Sequence, residues 1–251
     1  MNKYVTASEF FGSLEPDERV ILLLRHGERR HITPADTDSG AHVGLTDRGR
    51  QQGYDLGVAI GPGVAGSVYH DAVYFSSPVG RCVETAQRIG QGRESAGAPA
   101  APEVKVLDCL GDYFVQDYDE YLKTLNENFY PNICQWISAG EHPAFYPLAD
   151  RAEEMFRMML QKMDDPASYA EFNLQKPPRY GIFCSHDAWI VPCLKHFCGF
   201  EFTPQQWMNF LSGVAFVLGP STPDDTTKIA ASAVCKRLVP ITALADGNLY
   251  F

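Results

Sequence analysis

Short apolar runs, each followed at once by polar residues, constrain the fold of this chain more than any other sequence feature. Residues 19–24 and 180–184 form such runs. A short run without polar alternation is typical of a strand that is buried on both faces of a sheet. Further strands are predicted at 71–76, 103–107, 214–218 and 228–234, with a loop at 220–227 between the last two.

Helices are predicted between these strands. Thr46 caps a helix that runs to about residue 60, and Ser77-Pro78 starts another that runs to about residue 90. A helix over 148–163 carries a methionine-rich apolar face. A further helix ends near residue 196, with Pro192 close to its first turn. The alternation of strands and helices predicts an α/β fold, a three-layer α/β/α sandwich with a mainly parallel central sheet.

Length and composition set the domain organisation. The chain has 251 residues, of which 45% are hydrophobic and 21% charged. These values predict one globular domain over 1–251, with a helical insertion over 109–179. The stretch 113–146 is rich in aromatic residues, which indicates either a packed subdomain or a cap that binds the non-phosphate half of a substrate.

Charge and cysteine content exclude several classes of protein. The formal net charge is −10, which argues against a nucleic-acid partner because such a partner needs a basic face. The longest strongly apolar run is far too short to span a membrane. The seven cysteines form no C-x-x-C pair and no zinc-type spacing with histidine. Their odd number favours reduced thiols and a cytoplasmic location.

Three polar clusters follow predicted strands directly. The first runs from Arg25 to Arg29 and includes His26, the second is Ser76-Ser77-Pro78 with Arg81, and the third is Ser185-His186-Asp187. Ligands of open parallel sheets bind beyond the carboxyl ends of the strands. We therefore expect the three clusters to meet at one edge of the sheet.

The residue types at that edge predict a phosphorylated substrate. Arginine presents a planar fork of donors that suits phosphate oxygens, and Arg81 in the first turn of its helix adds the dipole of a helix N-terminus. A neutral histidine has a nucleophilic ring nitrogen, and Asp187 offers a carboxyl for proton transfer. No second carboxylate cluster suits magnesium. The hypothesis is therefore phosphoryl transfer through a phosphohistidine, without a metal or any other cofactor.

The same residues carry a family resemblance over residues 20–200. Arg25-His26-Gly27 resembles the signature of the histidine phosphatase superfamily, and Leu45-Thr46 with Gly49 resembles its L-T-x-x-G segment. The Ser76-Ser77-Pro78 cluster with Arg81 resembles the second phosphate-binding segment, and Ser185-His186 the second-histidine segment. The superfamily includes phosphoglycerate mutases and acid phosphatases. The R-H-G-x-R form and the His-Asp pair are similar to the acid phosphatase branch, whereas His31 replaces the proline usual there.

The resemblance implies a role for each matching residue. His26 is the nucleophile, and Arg25, Arg81 and His186 bind the phosphate oxygens. Arg29 matches the extra arginine of the acid phosphatase branch, and Asp187 matches the aspartate that protonates the leaving group. The mutase branch uses a glutamate after a middle strand, so Asp108 or Asp112 in the corresponding stretch is a rival to Asp187.

These inferences predict an enzyme that hydrolyses phosphate monoesters of small molecules. Two alternatives stay open at this stage. A phosphomutase would pass the phosphoryl group to another acceptor, and a non-catalytic module would bind a phospholigand without reaction. The sequence gives no indication of the natural substrate or of the oligomeric state.

Overall fold

A computed structural model describes residues 3–33, 35–36, 40–69, 71–219 and 230–243, apart from the side chains of 126 and 127. Seven strands cross this part of the chain. In chain order they are β1 (Val5–Thr6), β2 (Arg19–Arg25), β3 (Ala72–Ser76), β4 (Lys105–Val106), β5 (Tyr180–Ser185), β6 (Ser212–Leu218) and β7 (Cys235–Thr242). They form one mixed sheet with the order β1-β7-β6-β2-β5-β3-β4.

Helices connect these strands and cover the sheet. They are α1 (Ala7–Gly12), α2 (Asp47–Ile60), α3 (Gly80–Ser95), α4 (Tyr118–Glu127), α5 (Phe129–Ala139), α6 (Leu148–Asp164), α7 (Pro166–Ala170), α8 (Asp187–Cys198) and α9 (Ala231–Val234). A short 3₁₀ helix, Asp108–Gly111, follows β4. Helices α4 to α7 lie between β4 and β5, within the range expected for the helical insertion.

The apolar strand residues divide between two cores, one on each face of the sheet. Ile21 and Leu23 of β2 pack on the side of α6 and α8. Val20, Leu22 and Leu24 pack on the side of α2 and α3. Successive side chains of a strand point to opposite faces, so a strand without polar alternation fills both cores. The three-layer α/β prediction is confirmed by this arrangement.

The sheet is mostly parallel around the centre and antiparallel on one side. Strand β2 pairs in parallel with β5, and β5 in parallel with β3. Strand β6 is antiparallel to both β2 and β7. The beginning of β6 therefore lies beside the end of β2, with Gly213 opposite Leu24.

Three local predictions were wrong. Helix α3 begins at Gly80 rather than at Pro78, and its cap residue Val79 has no polar side chain to cap it. The Ser77 hydroxyl, expected to be the cap, contacts the ring of His186 instead. Pro192 lies inside α8 rather than in its first turn. The last strand begins at Cys235, and part of the predicted strand 228–234 is the short helix α9. An amide of that helix, the Ala231 N–H, donates to Glu153 Oε2 at 2.8 Å.

One local prediction is confirmed, and another concerns residues that are not described. Thr46 caps α2 as expected, because its hydroxyl accepts from the Gly49 N–H at 3.0 Å. The loop predicted over 220–227 lies outside the described residues.

Candidate active site

The two histidines predicted to meet are neighbours at the ends of β2 and β5. The backbone N–H of His26 donates to Ser185 O at 3.1 Å, which continues the β2–β5 ladder by one residue. The ring centroids of His26 and His186 are 5.6 Å apart at an angle of 68°. The parallel pairing of β2 with β5 therefore brings together residues that are far apart in the sequence.

The ring of His26 is fixed in one tautomer. Its Nδ1 lies 2.8 Å from Gly27 O, and a carbonyl oxygen only accepts, so Nδ1 carries the proton. Its Nε2 lies 3.1 Å from Arg81 Nε, which only donates, so Nε2 presents a lone pair. Burial lowers the pKa of His26 well below its usual range, and the neighbouring His186 ring and the charges of Arg25 and Arg81 lower it further. The side chain of His26 is almost fully buried, and the ring is therefore a neutral base at pH 7.

The ring of His186 is also neutral and oriented. Arg81 Nη2 lies 3.4 Å from its Nδ1, so Nε2 carries the proton and donates to Ser77 Oγ at 3.0 Å. Burial, and next the charge of Arg81, lower the pKa of His186 to about 3, against an opposing effect of Asp187. The Nε2–H of His186 is therefore directed at Ser77, and its Nδ1 at the guanidinium that also contacts His26.

Arg81 joins the two rings. It is the second residue of α3, so its backbone lies at the helix N-terminus, where the dipole favours an anion. Its Nη1 also donates to Gly40 O at 2.8 Å. The Gly40 carbonyl therefore contacts the same guanidinium as both histidines.

Arg25 forms an ion pair with Asp187. Its Nη2 lies 2.8 Å from Asp187 Oδ2, and its Nη1 donates to Met208 O at 2.5 Å. The guanidinium carbon lies 4.2 Å from the centroid of the Phe210 ring, within cation–π range. Nε of Arg25 is buried and makes no hydrogen bond to the described residues.

Asp187 is held as a carboxylate by its neighbours. Its Oδ2 accepts from Trp207 Nε1 at 3.0 Å, and its Oδ1 accepts from the N–H of Ala188 at 2.9 Å. Burial raises the pKa of Asp187, but the charge of Arg25, the Trp207 hydrogen bond and further positive charges outweigh it and lower the pKa below its usual value. Asp187 is thus ionised before a substrate binds.

Arg29 stands at the margin of this cluster. Its Nη1 donates to Arg30 O at 2.9 Å, and its buried Nε makes no hydrogen bond to the described residues. Burial lowers its pKa from the usual value, while the charge of Asp187 opposes that shift. Arg29 therefore adds positive potential to the site without a direct ion pair to Asp187.

The two rival acids lie at the rim. Asp108 and Asp112 are exposed, in and just after the 3₁₀ helix that follows β4. That turn is tied to the site because Ser185 Oγ donates to Leu110 O at 2.7 Å. Of the three aspartates, Asp187 is the one whose carboxylate contacts a phosphate-binding candidate directly.

The sequence of this chain matches one family model over residues 21–213, that of the histidine phosphatase superfamily, branch 1. The match spans β2, both histidine segments and the start of β6. The chain belongs to this superfamily. The closer likeness to the acid phosphatase branch is not confirmed, since the matching model describes branch 1.

Three solved structures resemble this chain over most of its length. A mycobacterial glucosyl-3-phosphoglycerate phosphatase is 16% identical, with 90% of this chain and 100% of that chain covered and a TM-score of 0.48. A Bacillus anthracis phosphoglycerate mutase is 14% identical, with 84% and 96% covered and a TM-score of 0.43. An Entamoeba histolytica phosphoserine phosphatase is 19% identical, with 78% and 89% covered and a TM-score of 0.42. No curated protein matches the sequence.

Gly27 and Gly49 allow the backbone of the loop after β2 to lie directly against the first turn of α2. A Cβ built on Gly27 would lie 2.7 Å from Gly49 O, and one on Gly49 would lie 2.1 Å from Glu28 O. Such distances to backbone atoms leave no room for a side chain. The first turn of α2 can therefore pack directly against the loop that carries His26.

Sequence reasoning missed Trp207, Phe210 and the Met208 carbonyl as parts of this candidate site. They precede β6, and the prediction considered only residues that follow strands. Because β6 is antiparallel to β2, its beginning lies at the edge where β2 ends. The available signal was the pair of aromatic residues, Trp207 and Phe210, just before β6. That signal points to the site only once β6 is known to run antiparallel to β2.

The aromatic stretch of the insertion has two kinds of residue. Tyr113 and Trp136 are buried in the core. Tyr130 of α5 instead reaches the site, because its ring centroid lies 5.2 Å from that of Trp207 at an angle of 80°. The charges of Asp187, Arg25 and Arg29 also act on the Tyr130 phenol.

The described residues hold neither a candidate metal site nor a membrane-spanning helix. No group of three or more His, Cys, Asp or Glu side chains there is placed to hold a metal ion. No helix in that part of the chain is both long and apolar enough to cross a bilayer.

Proposed function

We propose that this superfamily member hydrolyses phosphate monoesters of small molecules through a phosphohistidine on His26, without a metal. The observation that carries the proposal is the fixed tautomer of His26. Its Nδ1–H is held by Gly27 O and its Nε2 lone pair faces the Arg81 guanidinium. A neutral imidazole with a lone pair directed at an anion site is an activated nucleophile.

The arginines and His186 supply the phosphate site. Arg25 and Arg29 each have a buried Nε without a hydrogen-bond partner among the described residues, and buried donors of this kind are rare unless a ligand satisfies them. A phosphate dianion offers acceptor oxygens to Arg25, Arg29, Arg81 and the His186 Nε2–H. These donors also stabilise charge on the transferring phosphoryl group.

The reaction then proceeds in two displacements. As the phosphate accepts from Arg81, Nε2 of His26 attacks phosphorus, the P–O bond to the leaving group breaks, and Asp187 donates its proton to the leaving oxygen. Water next attacks the phosphohistidine, Asp187 takes up a proton, and inorganic phosphate leaves with His26 restored. A bound dianion draws Arg25 toward itself and adds negative charge, so it raises the pKa of Asp187 and allows that carboxyl to carry a proton.

Trapping of the intermediate tests the proposal. Wild-type protein incubated with ³²P-labelled p-nitrophenyl phosphate and quenched in alkaline denaturant should carry label on His26. The variant His26→Ala should carry none, and its turnover should fall by about 10³-fold or more. His142→Ala, a histidine of the insertion away from the site, is the matched control and should label and turn over normally.

Other outcomes identify the alternatives. Turnover that survives His26→Ala, or that EDTA abolishes in the wild type, contradicts the proposal. Transfer of the label to an added phosphorylated acid instead of water indicates a phosphomutase. Phosphate binding without any label or turnover indicates a binding module. The cytoplasmic location stays a prediction.

A further inference from the structure

Trp207 and Met208 hold both partners of the Arg25–Asp187 ion pair. The indole Nε1–H of Trp207 donates to Asp187 Oδ2 at 3.0 Å, and the carbonyl of Met208 accepts from Arg25 Nη1 at 2.5 Å. Two consecutive residues before β6 therefore orient the proposed acid and the arginine beside it. Neither residue belongs to a motif that carried the family resemblance.

The contacts of Asp187 distinguish its two oxygens. Oδ2 lies 2.8 Å from Arg25 Nη2 in the ion pair and accepts a hydrogen bond from the Trp207 indole. Oδ1 accepts from the backbone N–H of Ala188. Oδ2 thus has two side-chain partners, whereas Oδ1 has only this backbone partner among the described residues. Oδ1 is consequently the oxygen with the freer lone pair to take and give a proton.

The position of Trp207 is itself fixed by packing. Its side chain is 1% exposed, and its ring makes edge contacts with Tyr130 at 5.2 Å and with Phe202 at 5.7 Å. Tyr130 belongs to α5, so a helix between β4 and β5 supports the indole that contacts Asp187. A buried ring held on two edges keeps its N–H in one place.

We propose that Trp207 is a positioning residue that fixes Oδ2 of Asp187, so that Oδ1 carries the proton to the leaving group. The inference rests on the proposed function, because it assumes that Asp187 is the general acid. When a substrate phosphate draws Arg25 away, the indole is the side-chain donor that keeps the carboxyl oriented. A carboxyl without it would rotate and donate its proton less efficiently.

Several charged or titratable groups face Asp187 from the surrounding elements. They are Arg25 at the end of β2, Arg29 in the following loop, His186 before α8, Cys82 of α3, Tyr121 of α4 and Tyr130 of α5. The charge of Arg25, the Trp207 hydrogen bond and the charge of Arg29 lower the pKa of Asp187. Removing the indole N–H alone should therefore raise the pKa of Asp187 while the other groups remain.

The test compares Trp207→Phe with Trp189→Phe. Both variants keep an aromatic ring and lose one indole N–H, but Trp189 Nε1 donates to the backbone oxygen of Gly111. Turnover is measured from pH 4 to 9 on an alkyl phosphate, which needs a proton donor, and on p-nitrophenyl phosphate, which does not. Thermal unfolding of each variant checks that it is folded.

Trp207→Phe should lower kcat for the alkyl phosphate about tenfold, with KM and the aryl phosphate rate within about twofold. The alkaline limb of its pH–rate profile on the alkyl phosphate should move up by about one pH unit, because a hydrogen bond to the Asp187 carboxylate is lost. Trp189→Phe should change neither kcat for the alkyl phosphate nor the position of that limb. An equal loss of kcat on both substrates, or an alkaline limb at the wild-type pH, would overturn the inference.

A second variant keeps the test decisive if Trp207→Phe does not fold. Tyr130→Leu removes one ring that supports the indole, and it should lower the alkyl rate in the same direction by a smaller factor. If the alkyl rate is unchanged, the inference fails. Failure of the proposed function gives a different result, because wild-type protein would then carry no label on His26 in the trapping experiment.

Discussion

At the scale of single residues, protonation is set by burial together with three arginines. His26 and His186 are neutral because burial and the positive charges of Arg25 and Arg81 lower their pKa values. Asp187 is ionised because the same kind of charge outweighs its burial. The site thus holds a free lone pair and a carboxylate before a substrate binds, and it needs the substrate's own charge to load the acid with a proton.

The identity of the acid can be decided by leaving-group dependence. Asp187→Asn should lower kcat for an alkyl phosphate by about 10²–10⁴-fold, and it should lower kcat for p-nitrophenyl phosphate much less. Asp108→Asn and Asp112→Asn should leave both rates within about twofold, because their exposed carboxyls lie at the rim. If Asp108→Asn or Asp112→Asn gives the selective loss on the alkyl phosphate, that residue is the acid and Asp187 is not.

At the scale of elements, backbone contact between α2 and the loop after β2 shapes the site. Thr46 caps α2 and also donates to Glu28 O at 3.3 Å, and Gly49 in the first turn touches that same residue. The helix therefore fixes the loop that follows His26. Arg81 is likewise fixed by its place in the first turn of α3.

Gly49→Ala tests this contact. Alanine normally stabilises a helix by about 1 kcal/mol relative to glycine, but here its Cβ would lie 2.1 Å from Glu28 O. We expect a net destabilisation of about 1–3 kcal/mol in urea unfolding and a loss of kcat as the His26 loop shifts. Gly12→Ala, at the end of α1 with no atom near its Cβ, should be neutral or slightly stabilising. A stable, fully active Gly49→Ala protein would show that the loop accommodates the methyl group.

At the scale of the whole molecule, the helices between β4 and β5 share a core with the sheet. Trp136 of α5 stacks on Phe145 at 4.5 Å, and Phe145 contacts Trp189 of α8 at 6.2 Å. These rings belong to the same core as Phe75 and Phe183 of the strands. The segment therefore contributes to folding as well as placing Tyr130 at the site.

Trp136→Ala should consequently report on stability and not on substrate binding. Its ring is fully buried, so we expect a loss of about 3–5 kcal/mol in the free energy of unfolding, with KM of the folded protein unchanged. Tyr118→Ala, an exposed aromatic of the same segment at 58% exposure, should change stability by less than about 0.5 kcal/mol. A raised KM with full stability in Trp136→Ala would instead make this ring part of a substrate cap.

The sequence by itself determined the central strands, the helix that Thr46 caps and the cluster of Arg25, His26, Arg81 and His186. These follow from local patterns, because short apolar runs indicate strands and the parallel rule brings their carboxyl ends to one edge. The tertiary structure decided the direction of β6 and hence the presence of Trp207 and Phe210 at the site. It also decided the use of the Ser77 hydroxyl, which contacts His186 and does not cap α3. Strand pairing and competition for a hydrogen bond depend on residues distant in the chain, so no local pattern encodes them.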